Sequence, residues 1–157
     1  AAEQRWSEFG DAHGLSVQHF RLAGIYGPKR NALAALRAGT ARRILKPGQV
    51  FSRIHVDDIA NILFAALHSD IGTRNFSVCD DEPAPPADIV AYAAALLGVD
   101  PPPSQNFEDA DLSEMARSFY EENKRIRNDR IKCELGVTLS YPTYREGLTA
   151  LFKNGAF

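Results

Sequence analysis

Residues 51–60 carry the side chains best suited to chemistry. Arg53 and His55 are two residues apart, and Asp57 and Asp58 follow after one further residue. A guanidinium can hold a phosphate or carboxylate through two parallel hydrogen bonds, and an imidazole can transfer a proton near neutral pH. Adjacent carboxylates can serve as acid and base, or they can begin a helix by capping its free N–H groups. The stretch therefore predicts an anion-binding position at the start of a helix.

The alternation along residues 50–54 predicts a strand that places Arg53 on the same face as Phe51 and His55. Asp57 is predicted to cap the helix that follows, with Asp58 against the positive end of its dipole. We expect Arg53 to bind an anionic group of a substrate, the alternative being a solvated hairpin arginine. A structural role for His55 is favoured over acid–base catalysis. The predicted buried stripe of the helix comprises Ile59, Ile62, Leu63, Ala66 and Leu67.

Composition narrows the class of protein. The chain has 157 residues, 45% of them hydrophobic, and a formal net charge of -2. This length suits one domain, and the charge gives no reason to expect a nucleic acid or an anionic membrane as partner. The four histidines and two cysteines show no metal-ligand spacing, so no metal site is predicted. Two cysteines are too few for a disulfide framework, so a cytoplasmic location is the default expectation.

Two strands, 15–20 and 74–79, are expected to lie side by side and parallel in the main sheet. Segments 42–45 and 50–54 flank Lys-Pro-Gly-Gln at 46–49, which has the chemistry of a type II turn and predicts a β-hairpin. Helical patterns alternate with these strands. The chain is therefore predicted to be an α/β protein.

Four stretches, in order, resemble a known family. They are Arg21 to Pro28 (Arg-x-x-x-Ile-Tyr-Gly-Pro), Ile54 to Ala60 (Ile-His-Val-Asp-Asp-Ile-Ala), Asn75 to Asp80 (Asn-Phe-x-Val), and Lys124 to Gly136 followed by Tyr141 to Leu148. The chain resembles the C-terminal half of an extended short-chain dehydrogenase/reductase, of the NAD-dependent epimerase/dehydratase type. The resemblance implies the C-terminal part of a Rossmann-type parallel sheet with a small substrate-binding subdomain, made of the hairpin and helices.

The glycine-rich pyrophosphate turn and the Tyr-x-x-x-Lys pair of that family are absent from the sequence. We therefore expect residues 1–157 to be a single α/β unit lacking the dinucleotide-binding half, and we assign no catalytic residue. Segments 1–30 and 55–98 are expected to be Rossmann-type elements. Segments 31–54 and 99–157 are expected to form the substrate side.

The resemblance also implies site residues. The family's nicotinamide-pocket segment corresponds here to four residues: Leu22, Ala23, Gly24 and Ile25. Tyr26 is expected either to face substrate or to fill the loop against the sheet. Arg53, His55 and Arg125 complete the substrate-binding set, although Arg125 lies in a basic run that is more commonly a surface strand. Phe51 stands where many nucleotide-sugar members carry an arginine.

The implied function is that of a substrate-binding half of an NAD- or NADP-dependent epimerase, dehydratase or reductase. Its substrate would be a nucleotide sugar or another small carbonyl or hydroxyl compound. The alternative is a non-catalytic NAD(P)-sensing or interaction protein on the same fold. The edge where further strands would pair is expected to be apolar and covered by the rest of the protein or by a second copy in a homo-oligomer.

Overall fold

A computed structural model describes residues 2–123 and 125–157. The helices are α1 (Ala2–His13), α2 (Ala32–Arg37), α3 (Val56–Leu67), α4 (Pro86–Leu97), α5 (Glu114–Glu121), α6 (Asp129–Cys133) and α7 (Tyr144–Lys153). The strands are β1 (Gln18–Leu22), β2 (Gly24–Tyr26), β3 (Arg43–Leu45), β4 (Arg53–His55), β5 (Arg74–Val78) and β6 (Ser104–Asn106). Within these residues, no helix combines the length and apolar character needed to cross a membrane.

β1 and β5 form a parallel pair in which Phe20 lies opposite Phe76. The rings of these two residues stack with their centroids 5.4 Å apart, and Phe76 is fully buried. The predicted parallel arrangement of the two main-sheet strands is confirmed. The first strand begins three residues later than predicted, at Gln18, because residues 14–17 still form the turn that leaves α1.

The predicted hairpin is wrong. The turn itself forms, since Gln49 N donates to Lys46 O at 3.1 Å and Gly48 has a φ of 73°. Its two flanking strands nevertheless separate: β3 pairs in parallel with β6, and β4 pairs in parallel with β2. Ile54 is completely buried in the core cluster that contains Phe76, whereas Ile44 lies outside that cluster, so the two strands fill different parts of the interior.

The start of α3 also differs from the prediction. His55, rather than Asp57, is the N-cap residue, and its Nδ1 accepts a hydrogen bond from Asp57 N at 3.2 Å. Asp58 is fully buried and accepts from Ser140 N at 2.7 Å and from Tyr141 N at 3.0 Å. The carboxylate therefore ties α3 to the segment before α7 instead of capping its own helix.

Only part of the predicted stripe on α3 is buried. Ile59, Ile62 and Ala66 face the interior, whereas the side chains of Leu63 and Leu67 are 45% and 81% exposed. The helix rests on the sheet along a single narrow line, which three residues at helical spacing are enough to cover.

Candidate functional site

A cleft of about 650 Å³ opens where β2, the segment before β4, and α5 meet. This volume lies within the range of small-molecule sites. The cleft is lined mainly by apolar and aromatic side chains: Leu22, Ala23, Gly24, Ile25, Tyr26, Phe51, Ser52, Arg53, Pro86, Phe119, Tyr120 and Ile126.

The strand arrangement creates this opening. Ala23 N still donates to Val78 O of β5, at 3.0 Å, but the next residue, Gly24, donates to Ser52 O at 3.2 Å. Asp80 N, beyond β5, donates to Arg53 O at 2.6 Å. β4 therefore enters where β1 and β5 separate. Ligands of open α/β sheets bind at such divergence points, beyond the carboxyl ends of the strands.

The segment from Leu22 to Ile25 forms one wall of the cleft. Its backbone is fixed on both sides by the hydrogen bonds of Ala23 and Gly24. Ala23 carries only a methyl group and Gly24 has no side chain, so the wall is flat at these two positions.

Arg53 is held rigidly beside this wall. Its Nη1 donates to Phe51 O at 2.9 Å and to Ala84 O at 3.1 Å, the two residues that form an antiparallel bridge. Burial lowers the pKa of Arg53, and Asp80 is the first of the charges that oppose this effect. Arginine stays charged under such a shift because its ordinary pKa is so high. The cleft thus contains a fixed, positively charged donor.

Tyr26 contributes to the cleft wall but lies mostly in the core. It is 7% exposed, and its ring meets the His55 ring edge-on at 5.1 Å. The hydroxyl is buried against Gly147 and has no hydrogen-bond partner within the described chain. Burial, followed by the charges of Asp80 and Asp58, raises its pKa, so the phenol is neutral.

The structure places His55 and Arg125 away from the cleft lining. His55 is 2% exposed, and its ring lies between Tyr26 and Tyr141, with a centroid distance of 4.1 Å to the latter. Burial lowers its pKa, and its Nδ1 is used by the helix cap, so it acts here as a neutral structural group. Arg125 is exposed, one residue before the cleft-lining Ile126.

The aromatic part of the cleft is not among the site residues predicted from the sequence. Phe51 and Tyr120 meet edge-on with a centroid distance of 5.5 Å, and Phe119 lies beside them on α5. The strand alternation had put Phe51 on the face of Arg53, which was a usable signal. The contact of α5 with residues 46–53 joins segments some 70 residues apart, and no local pattern reveals it.

Asp80 is buried, although the acidic run at residues 80–82 predicts a solvated loop rather than a cation site. It is 1% exposed, and neither carboxylate oxygen has a well-formed hydrogen bond within the described residues. Burial raises its pKa to about 7, although the backbone N–H groups of Arg53 and Glu82 and the charge of Arg53 act in the opposite direction. Asp80 therefore changes its charge near neutral pH, behind the arginine of the cleft.

This shift predicts a pH dependence of stability. Because the folded pKa of Asp80 exceeds the unfolded value near 4, the folded chain binds the proton more tightly. The stabilisation that the protonated Asp80 carboxyl provides is present at low pH and is lost as the pH rises towards 7. Asp80→Asn should remove this loss. The difference in unfolding free energy between variant and wild type should therefore shift in favour of the variant by on the order of 1–3 kcal/mol from pH 5 to pH 8.

Urea unfolding of wild type and variant at both pH values tests this expectation. Asp81→Asn is the matched control. Burial raises the pKa of Asp81, but hydrogen bonds from Lys132 and Asn128, each 2.6 Å long, lower it overall. The stabilisation that ionised Asp81 provides is therefore lost as the pH falls, which is opposite to the pH dependence expected for Asp80. Identical pH slopes for wild type and Asp80→Asn would contradict the assignment.

Among the described residues, no group of His, Cys, Asp and Glu side chains is placed to hold a metal ion. No protein-family model matches the chain. The chain is 32% identical over 138 residues to 3-diazoavenalumate denitrifying reductase of a Streptomyces species. The match covers 82% of this chain and 44% of that protein, so the chain spans less than half the length of this curated relative.

Solved structures extend the comparison. A conserved protein of unknown function from Silicibacter pomeroyi shares 54% identity at a TM-score of 0.89, over 99% of this chain and 53% of that one. The UDP-glucose 4-epimerase of Thermus thermophilus, solved with NAD, shares 19% identity at a TM-score of 0.71, over 99% and 52% of the two chains. The chain therefore has the fold of the C-terminal half of NAD-dependent epimerases and dehydratases, which confirms the predicted resemblance and the α/β fold.

Proposed function

We propose that this chain is the substrate-binding half of an NAD(P)-dependent enzyme of the epimerase, dehydratase or reductase type. In this proposal the wall from Leu22 to Ile25 contacts the nicotinamide, and Arg53 holds an anionic group of the substrate. The substrate is a nucleotide sugar or another small carbonyl or hydroxyl compound. The observation that carries the proposal is that one cleft contains both the flat wall and the fixed cation.

The strand register supports this division of roles. Gly24 and Arg53 are direct partners on β2 and β4. Neighbouring strands lie about 4.8 Å apart, so the strand that carries the guanidinium runs directly beside the wall. A substrate held by Arg53 would thus lie next to a ring resting on the wall.

The nicotinamide, when bound, supplies or accepts a hydride. The described cleft residues position the substrate for this step and exclude water with apolar side chains. They include no carboxylate and no histidine, the Tyr26 hydroxyl is buried against Gly147, and burial raises the pKa of Tyr120, so neither phenol is ready to accept a proton. We therefore place the proton-transfer group outside this set, and we expect residues 1–157 alone to show no turnover.

The test is a nuclear Overhauser experiment on the natural protein that carries this sequence, with labelled methyl groups and bound NADPH or NADH. We expect contacts from the nicotinamide protons to the methyls of Ala23 and Ile25. The buried Leu151 methyls, in the core cluster that does not include Ile25, are the control and should show none. Failure of both cofactors to bind, or binding without these contacts, contradicts the proposal. Binding without turnover of any carbonyl or hydroxyl substrate favours a cofactor sensor.

A further inference from the structure

Aromatic side chains form part of the surface that the cleft offers to a ligand. Phe51, Phe119 and Tyr120 line it together with the wall formed by residues 22–25. Among the described lining residues, Arg53 is the one with a charged side chain. An aromatic surface with a single cation differs from the set of several donors and charges that a nucleoside diphosphate requires.

Contacts with Phe107 and Lys46 hold Tyr120 in place. Its ring packs on Phe107 with centroids 5.1 Å apart and an interplanar angle of 33°. The ammonium of Lys46 lies 4.5 Å from the centre of the Phe107 ring and also donates to Tyr120 O. Gln49 Nε2 donates to Glu122 O at 2.7 Å, which ties the end of α5 to the turn at residues 46–49. The aromatic surface is therefore preorganised.

Few polar groups of the described lining remain for a ligand. Ser52 Oγ accepts from Ile126 N at 3.0 Å, and the Tyr26 hydroxyl is directed at Gly147. A sugar ring brings several hydroxyls, and each one buried without a partner costs binding free energy. The cleft side chains best placed to meet a polar ligand are Arg53 and Tyr120. Their proximity is reflected in the pKa of Tyr120, which burial raises and the charge of Arg53 lowers.

The geometry of Arg53 indicates which anion fits. Its Nη1 is used by two carbonyl oxygens, whereas no group within the described chain bonds its Nε or Nη2. These two nitrogens form the planar fork that pairs with both oxygens of a carboxylate. Arg53 lines this cleft and also a smaller cavity beside Tyr144, so the fork provides one bidentate anion site in this region.

We propose that the substrate of this cleft is a planar aromatic carboxylate. Its ring packs among Phe51, Phe119 and Tyr120, and its carboxylate pairs with the Nε and Nη2 of Arg53. This inference rests on the proposed function and narrows its substrate class from small carbonyl or hydroxyl compounds in general to aromatic acids.

Isothermal titration of the natural protein, saturated with NADPH, tests the inference with trans-cinnamate as the probe. Two matched compounds separate the contributions of the ring and of the carboxylate to binding. The compound 3-cyclohexylpropanoate keeps the charge without the planar ring, and trans-cinnamamide keeps the ring without the charge. UDP-glucose represents the nucleotide sugars. We expect trans-cinnamate to bind at least roughly tenfold more tightly than any of the three, as one good charge-assisted contact or one well-packed ring allows.

Two variants test whether the ring of trans-cinnamate contacts Phe119 and Tyr120. Tyr120→Leu and Phe119→Leu should each weaken trans-cinnamate binding roughly three- to tenfold and leave NADPH binding unchanged. Met115→Leu, 74% exposed on the same helix, is the control and should change neither affinity. Phe119 is itself 55% exposed, so its replacement tests the ring contact without disturbing the core.

The outcomes separate the two proposals. If neither NADPH nor NADH binds, the proposed function falls. If either cofactor binds but trans-cinnamate does not, or if 3-cyclohexylpropanoate or UDP-glucose binds as tightly, the aromatic-acid inference alone is overturned. Unchanged trans-cinnamate affinity in both leucine variants overturns it as well.

Discussion

Gly147→Ala is expected to lower the free energy of unfolding by about 1–3 kcal/mol, the usual cost of overpacking a well-filled interior. A Cβ at this position would overlap the Tyr26 hydroxyl and lie 2.7 Å from Tyr26 Cε2. Tyr26 is 7% exposed and belongs to a core cluster with Leu33 and Leu148, so its ring has little room to move. The gain of up to about 1 kcal/mol from alanine in a helix offsets only part of this cost.

Chemical unfolding of the single and double variants measures the effect. Tyr26→Phe removes the closest atom, so it should restore part of the stability in the Gly147→Ala background. Gly72→Ala is the control, because a Cβ there meets nothing within 4 Å. A Gly147→Ala variant as stable as wild type would show that α7 and β2 pack less closely than described.

Local chemistry in the sequence predicted local structure well. Pro47-Gly48 predicted a turn that forms, and Asn31 and Thr143 begin helices through their side chains. The hairpin prediction failed because a turn fixes only the direction of the chain. The partners of β3 and β4 were decided by burial of Ile44 and Ile54 in different parts of the core.

For the candidate site too, local features could be predicted from the sequence, whereas long-range contacts could not. The strand pattern and the family resemblance identified Arg53 and the segment from Leu22 to Ile25, and the structure brings them into one cleft. The carboxylate of Asp57 made it a plausible cap, yet His55 caps α3 because its ring nitrogen reaches the Asp57 N–H from a fully buried position. Tyr120 reaches the cleft only through tertiary contacts of α5, which a single sequence does not encode in any local pattern.

Arg53→Ala is expected to weaken binding of an anionic substrate roughly ten- to a hundredfold, since a hydrogen bond to a charged group contributes about 1.5–3 kcal/mol. Arg53→Lys keeps the charge but loses the planar fork, so it should recover only a minor part of this affinity. Neither change should alter cofactor binding, because the wall from Leu22 to Ile25 is fixed by backbone hydrogen bonds of its own.

In the proposed function, Arg53 and the neighbouring wall bind different molecules within one cleft. The most direct test is to measure both affinities separately in the natural protein, for wild type, Arg53→Ala and Arg53→Lys. NADPH binding is titrated first, and then trans-cinnamate and 3-cyclohexylpropanoate, two carboxylates that differ in their rings. We expect an unchanged dissociation constant for NADPH and a ten- to hundredfold loss for whichever carboxylate wild type binds. Unchanged carboxylate affinity in both variants, or a loss confined to NADPH, would contradict the claim.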